Sequence, residues 1–306
     1  MSKRSQAGVG AQAAEAGGVR LARALLRFYL SRMPLRNGKG RLYTALHSRL
    51  LPPERWVTTT VRQGFRLCLD LTEPAQRQIY FFGEYDERHE IRLLQQILRP
   101  GDCFWDVGAN IGFFSLTAAR LVGPSGRVVA FEPAAHAWQV LQNNVALNPG
   151  HNIQLVRLAL SDRSGQATLH RQADFADGGA SLISRPGYHQ ESEVVAILPL
   201  HDYLRQTGGP PPTFLKVDVE GHEASVLAGG RQLLQGPQPP LILLEMNDAA
   251  DIFTRLQTAG YQGAYLRRRR WRLAANPLAG HSRNMLWFRP DVPGHRERLA
   301  PIGLGV

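Results

Sequence analysis

The residues best suited to chemistry fall into two groups. The first is Cys103-Phe-Trp-Asp106-Val-Gly108-Ala-Asn110-Ile-Gly112-Phe-Phe-Ser-Leu116, an apolar strand that runs into a carboxylate, then a glycine-rich turn, then a helix. Glycines at such a turn admit positive φ and let the backbone approach a ligand, and the helix that follows presents unpaired N–H groups at its start. Glu132 stands twenty residues beyond Gly112, at the end of a second apolar strand, where an acid can grip the two hydroxyls of a ribose. Asp106 narrows the choice of ligand. A dinucleotide site needs its glycines just where the strand ends, so that the helix N-terminus meets a pyrophosphate, and a carboxylate two residues ahead of the first glycine repels that anion. It suits a ligand with a cationic amino-acid portion, and S-adenosylmethionine carries an ammonium, a sulfonium and a ribose. Further on, Leu158-Ala-Leu-Ser161-Asp162 closes the next apolar run. Ser161 and Asp162 can bond an adenine there, the alternative being that Asp162 caps a turn.

The second group is Lys216-Val-Asp218-Val-Glu220-Gly-His222-Glu223, a dense set of titratable side chains at the carboxyl end of another apolar strand, the edge at which α/β sheets bind ligands. Strand alternation places Lys216, Asp218 and Glu220 on one side. Buried together they need one another as ion-pair partners, so Lys216 and Glu223 also suit a purely structural knot.

Taken together, Asp106-Val-Gly-Ala-Asn-Ile-Gly112, Phe131-Glu-Pro133, Ala159-Leu-Ser-Asp162 and Phe214-Leu-Lys-Val-Asp-Val-Glu-Gly-His-Glu-Ala-Ser-Val-Leu-Ala-Gly-Gly230 resemble the FkbM-type family of S-adenosylmethionine-dependent methyltransferases, over about residues 57 to 288. The resemblance implies a class I methyltransferase (Rossmann-like) α/β fold. Its sheet would have seven strands, mostly parallel with an antiparallel last strand, and its usual reaction is O-methylation of a hydroxyl on a sugar or secondary metabolite. Gly178-Gly179-Ala180-Ser181-Leu182 also fits the family pattern and puts Ser181 near the site. On this reading Asp106, Gly108, Asn110, Gly112, Glu132, Ser161 and Asp162 bind the cofactor.

Methyl transfer from a sulfonium is an in-line displacement, so alignment supplies much of the acceleration. An alkyl hydroxyl is about as poor an acid as water, with a pKa of roughly 15.7, so a base must take its proton as the bond forms. His222 or Asp218 is the candidate base, with Glu220 orienting one of them, and His222 has the ordinary pKa closest to neutrality. A metal-assisted variant is open as well: Asp218 with Glu245 and Asn247 could hold Mg²⁺ through oxygen ligands.

The elements that must position these residues follow from periodicity. Apolar runs and amphipathic stretches alternate from Cys103 to Leu160 and again from Thr213 to Ala259, which predicts a parallel sheet wound by right-handed crossovers. Two further strands are expected near Tyr261 to Leu266 and Asn284 to Arg289. Val57 to Val61 and Phe65 to Leu69, joined across Gln63-Gly64, predict a hairpin. Residues 163–200 break the rhythm and read as a β-rich or loop-rich insertion, whose Asp174, Asp177, Ser181 and His189 would cover the acceptor together with Tyr80 to Glu90. The domain is expected over 53–290, preceded by a disordered leader (1–18) and a basic helical extension (19–52), and followed by a tail (291–306).

Composition sets the remaining bounds. A chain of 306 residues with 43% hydrophobic and 20% charged residues can bury a large core, and Cys68 and Cys103 alone cannot make a disulfide framework or a cysteine-rich zinc site. They fit a reducing, cytoplasmic compartment. The formal charge of +11 invites a polyanion partner, but it sits at the ends. Residues 1–50 hold ten Lys or Arg against one acid and residues 262–306 nine against two, while the stretch between has 17 bases and 22 acids. An acidic middle disfavours nucleic acid as the substrate. So does the absence of an Asn/Asp-Pro-Pro-aromatic loop where Asp218-Val-Glu-Gly221 stands, and of a second active-site lysine. A small-molecule, glycan or lipid-linked acceptor is expected instead, and a second copy of the chain is a further candidate partner. A cofactor-binding scaffold without catalysis is the non-enzymatic alternative. In the extension, Arg20, Arg23 and Arg27 share one helical face and Leu21, Leu25, Leu26, Phe28 and Tyr29 the other. The Leu face is expected to pack on the domain, the other option being an anionic membrane surface.

Overall fold

The computed structural model describes residues 17–33, 38–85, 87–172, 180–183, 190–247, 249–267, 270–276 and 284–304. Helices α1 (Gly17–Arg32) and α2 (Lys39–Leu46) precede a hairpin of β1 (Trp56–Thr60) and β2 (Arg66–Asp70), then helices α3 (Pro74–Phe82) and α4 (Arg88–Ile97). The alternating part opens with β3 (Cys103–Val107), α5 (Phe113–Val122), β4 (Arg127–Phe131), α6 (Ala135–Ala146) and β5 (Ile153–Val156). Four strands then leave the main sheet: β6 (Ala159–Ser161), β7 (Gly165–Gln172), β8 (Ala180–Ser181) and β9 (Gln190–Pro199). Helix α7 (Leu200–Thr207) returns the chain to β10 (Phe214–Val217), α8 (Glu223–Gly229), α9 (Arg231–Leu234), β11 (Leu241–Glu245) and α10 (Ala249–Thr258). The last elements are β12 (Gln262–Arg267), β13 (Arg270–Leu273), β14 (Asn284–Phe288) and α11 (Pro293–Leu299).

The main sheet runs β13-β12-β14-β11-β10-β3-β4-β5. Strands β5, β4, β3, β10 and β11 are parallel, and β14 is inserted antiparallel between β11 and β12. Every residue of β3, β10 and β11 is buried, as central parallel strands covered on both faces require. Alternation divides their side chains. Phe104, Phe214 and Leu243 pack with α4, α5 and the hairpin, whereas Trp105, Leu215 and Leu244 pack with α7, α8 and α10.

The structure departs from the sequence reading in four places. The sheet has eight strands rather than seven, because half of the run Arg267-Arg-Arg-Arg-Trp-Arg272 forms β13, an exposed edge strand antiparallel to β12. The last apolar run of the stretch from Cys103 to Leu160, which spans Ile153 to Leu160 and reads as a single strand, breaks after Val156, and Ala159–Ser161 pairs instead with β9 in a second sheet ordered β6-β9-β7-β8. The last described residues pack back on the domain rather than trailing from it. Leu299 and Leu304 are buried in the main core, and Arg298 makes a two-pronged ion pair with buried Asp102. Finally, α1 is only partly oriented as expected: Leu26 and Tyr29 of the Leu face pack on the domain together with Leu30, but Leu21, Leu25 and Phe28 face outward, while Arg23 and Arg27 find partners on the body. The expected leader up to residue 16 and the lid candidates Asp174, Asp177 and His189 lie outside the described residues. Among the described residues no helix is long and apolar enough to cross a membrane.

Candidate active site

The glycine turn is built by its protein neighbours. Gly108 and Gly112 have φ of +86° and +88°. A Cβ at Gly108 would lie 1.9 Å from the carbonyl oxygen of Asp218, and one at Gly112 2.5 Å from Leu141 Cδ1. The first glycine therefore lets the end of β10 close on the turn, and the close approach expected toward a ligand is made to backbone. The amides of Gly108 and Ala109 both donate to the Phe131 carbonyl (3.0 and 2.9 Å), and the Gly112 amide donates to Ala109. The Asn110 amide donates to Glu132 Oε2 (2.8 Å), and the second carboxylate oxygen accepts the Ala134 amide at 2.9 Å. Asn110 itself adopts φ of 48°, a strained conformation for a side-chain-bearing residue. Burial pushes the Glu132 carboxyl up to about 7 despite these two N–H donors.

Beneath the turn, Asp106 is fully buried. Its Oδ2 accepts the Ser115 hydroxyl at 2.6 Å, and its Oδ1 lies 3.9 Å from Lys216 Nζ. Matching register of β3 and β10 puts the two residues side by side. Asp106 is not among the residues that line the cavity, and the cation beside it is Lys216. Lys216 donates to Asp218 Oδ2 at 2.9 Å and lies 4.7 Å from the centre of the Phe114 ring. Burial opposes its charge, but Asp218, Asp106 and Glu87 outweigh that and hold the ammonium above its ordinary pKa.

Glu87, at the start of α4, completes the group. Burial is the largest influence on its carboxyl and raises it to about 7, against the pull of Lys216. Oε1 accepts Asn284 Nδ2 at 3.4 Å, while Oε2 accepts no hydrogen bond among the described residues. Sequence reasoning placed Glu87 only in a covering segment. Its signal was an acid just ahead of an amphipathic helix, which says nothing about where that helix end lies in space.

After β10 the chain turns sharply, with Glu220 at φ of 53°. Buried Glu223 holds the turn, accepting the amides of Val219 (3.3 Å) and Gly221 (3.0 Å) and the side-chain amide of Asn247 (3.1 Å). Glu223 thus fills the structural role open to it. Asn247 also donates to Glu245 Oε2 at 2.7 Å, which commits its nitrogen to carboxylates. Carboxylate oxygens of Asp218, Glu220 and Glu245 lie within 4.8 Å of one another. The Ser181 hydroxyl donates to the Glu220 carbonyl at 2.8 Å, tying the inserted sheet to this turn. His222 Nε2 lies 2.9 Å from the hydroxyl of Ser161, which is fully buried, and burial lowers the pKa of its ring.

A cavity of about 530 Å³ opens over these groups, a size suited to a small molecule. Gly108, Asn110, Glu132, Asp218, Glu220 and His222 line it, and Lys216 and Glu87 join them. Asp106, Gly112, Ser161 and Asp162 do not. Ser161 is turned to His222, and Asp162 is half exposed beside Arg163. The break after Val156 carries Ser161 into the second sheet, and Leu158, Ala159 and Leu160 line the wall where the serine and aspartate were expected.

A parallel sheet of this order, with a glycine turn after its first strand, an acid after its second and an antiparallel strand inserted near one edge, defines a class I methyltransferase fold. Residues 106–262 match the methyltransferase FkbM domain, and the chain belongs to that family. Among curated relatives it is 32% identical over 165 residues to the hexuronic acid methyltransferase AglP of Haloferax volcanii, covering 54% of this chain and 64% of that protein. It is 31% identical over 162 residues to the 31-O-demethyl-FK506 methyltransferase FkbM of Streptomyces tacrolimicus, covering 43% and 60% respectively. The matches thus span less than two thirds of the length of either relative. A solved methyltransferase FkbM from Methylobacillus flagellatus KT aligns with a TM-score of 0.41 at 17% identity, covering 70% of this chain and 54% of that one.

Proposed function

We propose that the cavity binds S-adenosylmethionine and that the chain is an O-methyltransferase acting on a hydroxyl of a sugar or secondary metabolite, free or lipid-linked. The observation that carries this reading is Glu132. Its carboxylate stands on the cavity wall, fastened to the amide of Asn110, with Asp218, Glu220 and Glu87 across the same cavity. These residues fit the group: an acid for a ribose, an apolar wall from Ile111 and Leu158 to Leu160 for a flat ring, and carboxylates for a cationic centre and an acceptor hydroxyl. When bound, S-adenosylmethionine supplies an electrophilic methyl carbon on a sulfonium. The names of two relatives, one a hexuronic acid methyltransferase and the other acting on an O-demethyl compound, support a hydroxyl acceptor.

Within the site, Asp218 is positioned by Lys216 and orients the acceptor hydroxyl, with Glu220 beside it. The acceptor's proton needs a base. Asp218 is held by the Lys216 ammonium, whereas a Glu87 carboxyl pushed up to about 7 matches the proton affinity that efficient general catalysis wants. His222 remains a candidate base, its Nε2 engaged with Ser161. Free thiols at Cys68 and Cys103 support a reducing cytoplasmic setting.

The test is methyl transfer from radiolabelled S-adenosylmethionine to uronic acids and polyketide alcohols, with calorimetric binding of S-adenosylhomocysteine. Product binding that is weakened by Glu132→Ala, with label on an ether oxygen, is expected; no binding to the intact protein sinks the reading. A divalent-cation variant is a second reading: carboxylate oxygens of Asp218, Glu220 and Glu245 lie within 4.8 Å of one another, and two of these acids belong to the set of Asp218, Glu245 and Asn247 expected from sequence. Transfer that survives exhaustive chelation rules it out.

A further inference from the structure

We infer that the outward face of α1 is a docking surface for an anionic lipid bilayer. The helix is anchored to the body entirely through its other face. Leu26 and Leu30 are buried, and Arg23 Nε donates to the Leu50 carbonyl at 2.7 Å. Arg27 donates to the Tyr80 carbonyl (3.0 Å) and the Thr59 hydroxyl (2.6 Å), with its guanidinium 4.0 Å from the centre of the Tyr80 ring. These contacts fix the helix without help from its outer stripe.

That stripe is apolar. Leu21, Leu25 and Phe28, spaced four and three apart, are 62%, 60% and 59% exposed and project from one side of the helix. Large apolar side chains left open in a row mark an interaction site rather than ordinary surface scatter. Charge identifies the occupant. Residues 16–53 contain eight Lys or Arg and no acid; Arg32 falls on the side of the stripe by helical spacing, and Arg20, Arg41 and Arg49 are exposed in the same segment. An amphipathic helix with Leu and Phe outward and basic flanks lies in the interface of a negatively charged membrane. A second copy of the chain would bring the same positive face against itself, which like-charge repulsion opposes. At 16 residues the helix is too short to span a bilayer.

The position has a use for the proposed reaction. Through Arg27 and Tyr80, α1 rests on α3, and Gln76 and Gln78 of α3 line the cavity. A bilayer on the outer face therefore lies one helix beyond the cavity wall, within reach of a lipid-linked acceptor. This use rests on the methyltransferase reading; the docking itself does not.

The experiment is flotation of the full chain with vesicles of phosphatidylcholine alone or mixed with phosphatidylglycerol. Binding to the anionic vesicles, weakened by salt and reduced about tenfold or more by Leu21→Ser, Leu25→Ser and Phe28→Ser together, is expected. Arg32→Glu with Arg41→Glu should reduce it as well. The serine variant should keep its thermal midpoint and its binding of S-adenosylhomocysteine, since the three side chains are exposed. Absence of flotation on anionic vesicles overturns the inference, as does unchanged flotation of the serine variant. So does a dimer in sedimentation that the serine changes dissolve, which would assign the stripe to a second copy. Failure of methyl transfer leaves the vesicle result readable, because flotation requires no turnover.

Discussion

Lys216 stands beside Asp106 on adjacent parallel strands, its ammonium 3.9 Å from that buried carboxylate and 2.9 Å from the partly exposed carboxylate of Asp218. One cation thus serves two anions, and Glu87 adds to the negative potential it feels. Removing the cation takes away the main influence that keeps the buried Asp106 carboxyl ionised, so it must either remain charged without solvent or take up a proton. Lys216→Met should therefore cost on the order of 3–5 kcal/mol in urea unfolding. Adding Asp106→Asn should recover part of that loss, because the stranded carboxyl is gone. Additive losses in the double variant would show that the pair is not coupled.

The turn makes a sharper steric prediction. Gly108→Ala places a methyl 1.9 Å from a backbone oxygen at a positive φ, with no side chain able to move aside. It should destabilise the fold by more than about 3 kcal/mol or prevent folding. Gly112→Ala meets only the end of the Leu141 side chain and should be milder, although its φ is equally left-handed. Comparing the two by thermal unfolding separates the steric cost from the torsional one.

Glu132 carries a stability and binding trade-off. Its carboxyl is raised to about 7 by burial, so between the ordinary glutamate range and neutrality the folded protein holds a proton that the unfolded chain releases. Its contribution to stability is full in acid and declines as pH rises toward 7. Glu132→Gln should flatten that decline in the unliganded protein and weaken S-adenosylhomocysteine about 10- to 100-fold, the worth of a charge-assisted hydrogen bond to a hydroxyl. Unfolding curves across pH, paired with calorimetry, check both halves.

How much of this was legible in the sequence depends on whether a residue's neighbours are local. Gly108, Asn110 and Glu132 were readable because a strand, a turn and the next strand in a parallel sheet come together by rule. Asp218, Glu220 and His222 were readable as candidates because they cluster within five residues at the carboxyl end of one strand, whereas the pairing of β10 with β3 was not. Ser161 and Asp162 were misplaced because the apolar run from Ile153 to Leu160 has no periodicity to reveal a break at Val156. The orientation of α1 was illegible for another reason. Arginine is a surface residue on any hydropathy scale, yet Arg23 and Arg27 bury their stems and reach carbonyls fifty or so positions along the chain at most. Glu87 belongs to the same class, as its neighbours Lys216 and Asn284 are remote in sequence.

The identity of the base can be separated from the structural roles by its effect on pH dependence. A Glu87 carboxyl at about 7 is protonated in acid and can accept a proton only above that value, so kcat should rise with pH through about 7 and level off. Glu87→Gln should lower kcat by about 10²- to 10⁴-fold and remove the rising limb, while leaving S-adenosylhomocysteine affinity nearly unchanged. His222 gives a different signature. Burial lowers its pKa, so a limb due to His222 would lie below the ordinary histidine value and would survive Glu87→Gln. Ser161→Ala removes the hydroxyl 2.9 Å from Nε2 and should shift such a limb without abolishing it. Asp218→Asn tests the remaining role: an orienting carboxylate raises KM and lowers kcat together when lost, with the limb still in place. A pH profile that is unmoved by Glu87→Gln and displaced by Ser161→Ala would return the proton to His222.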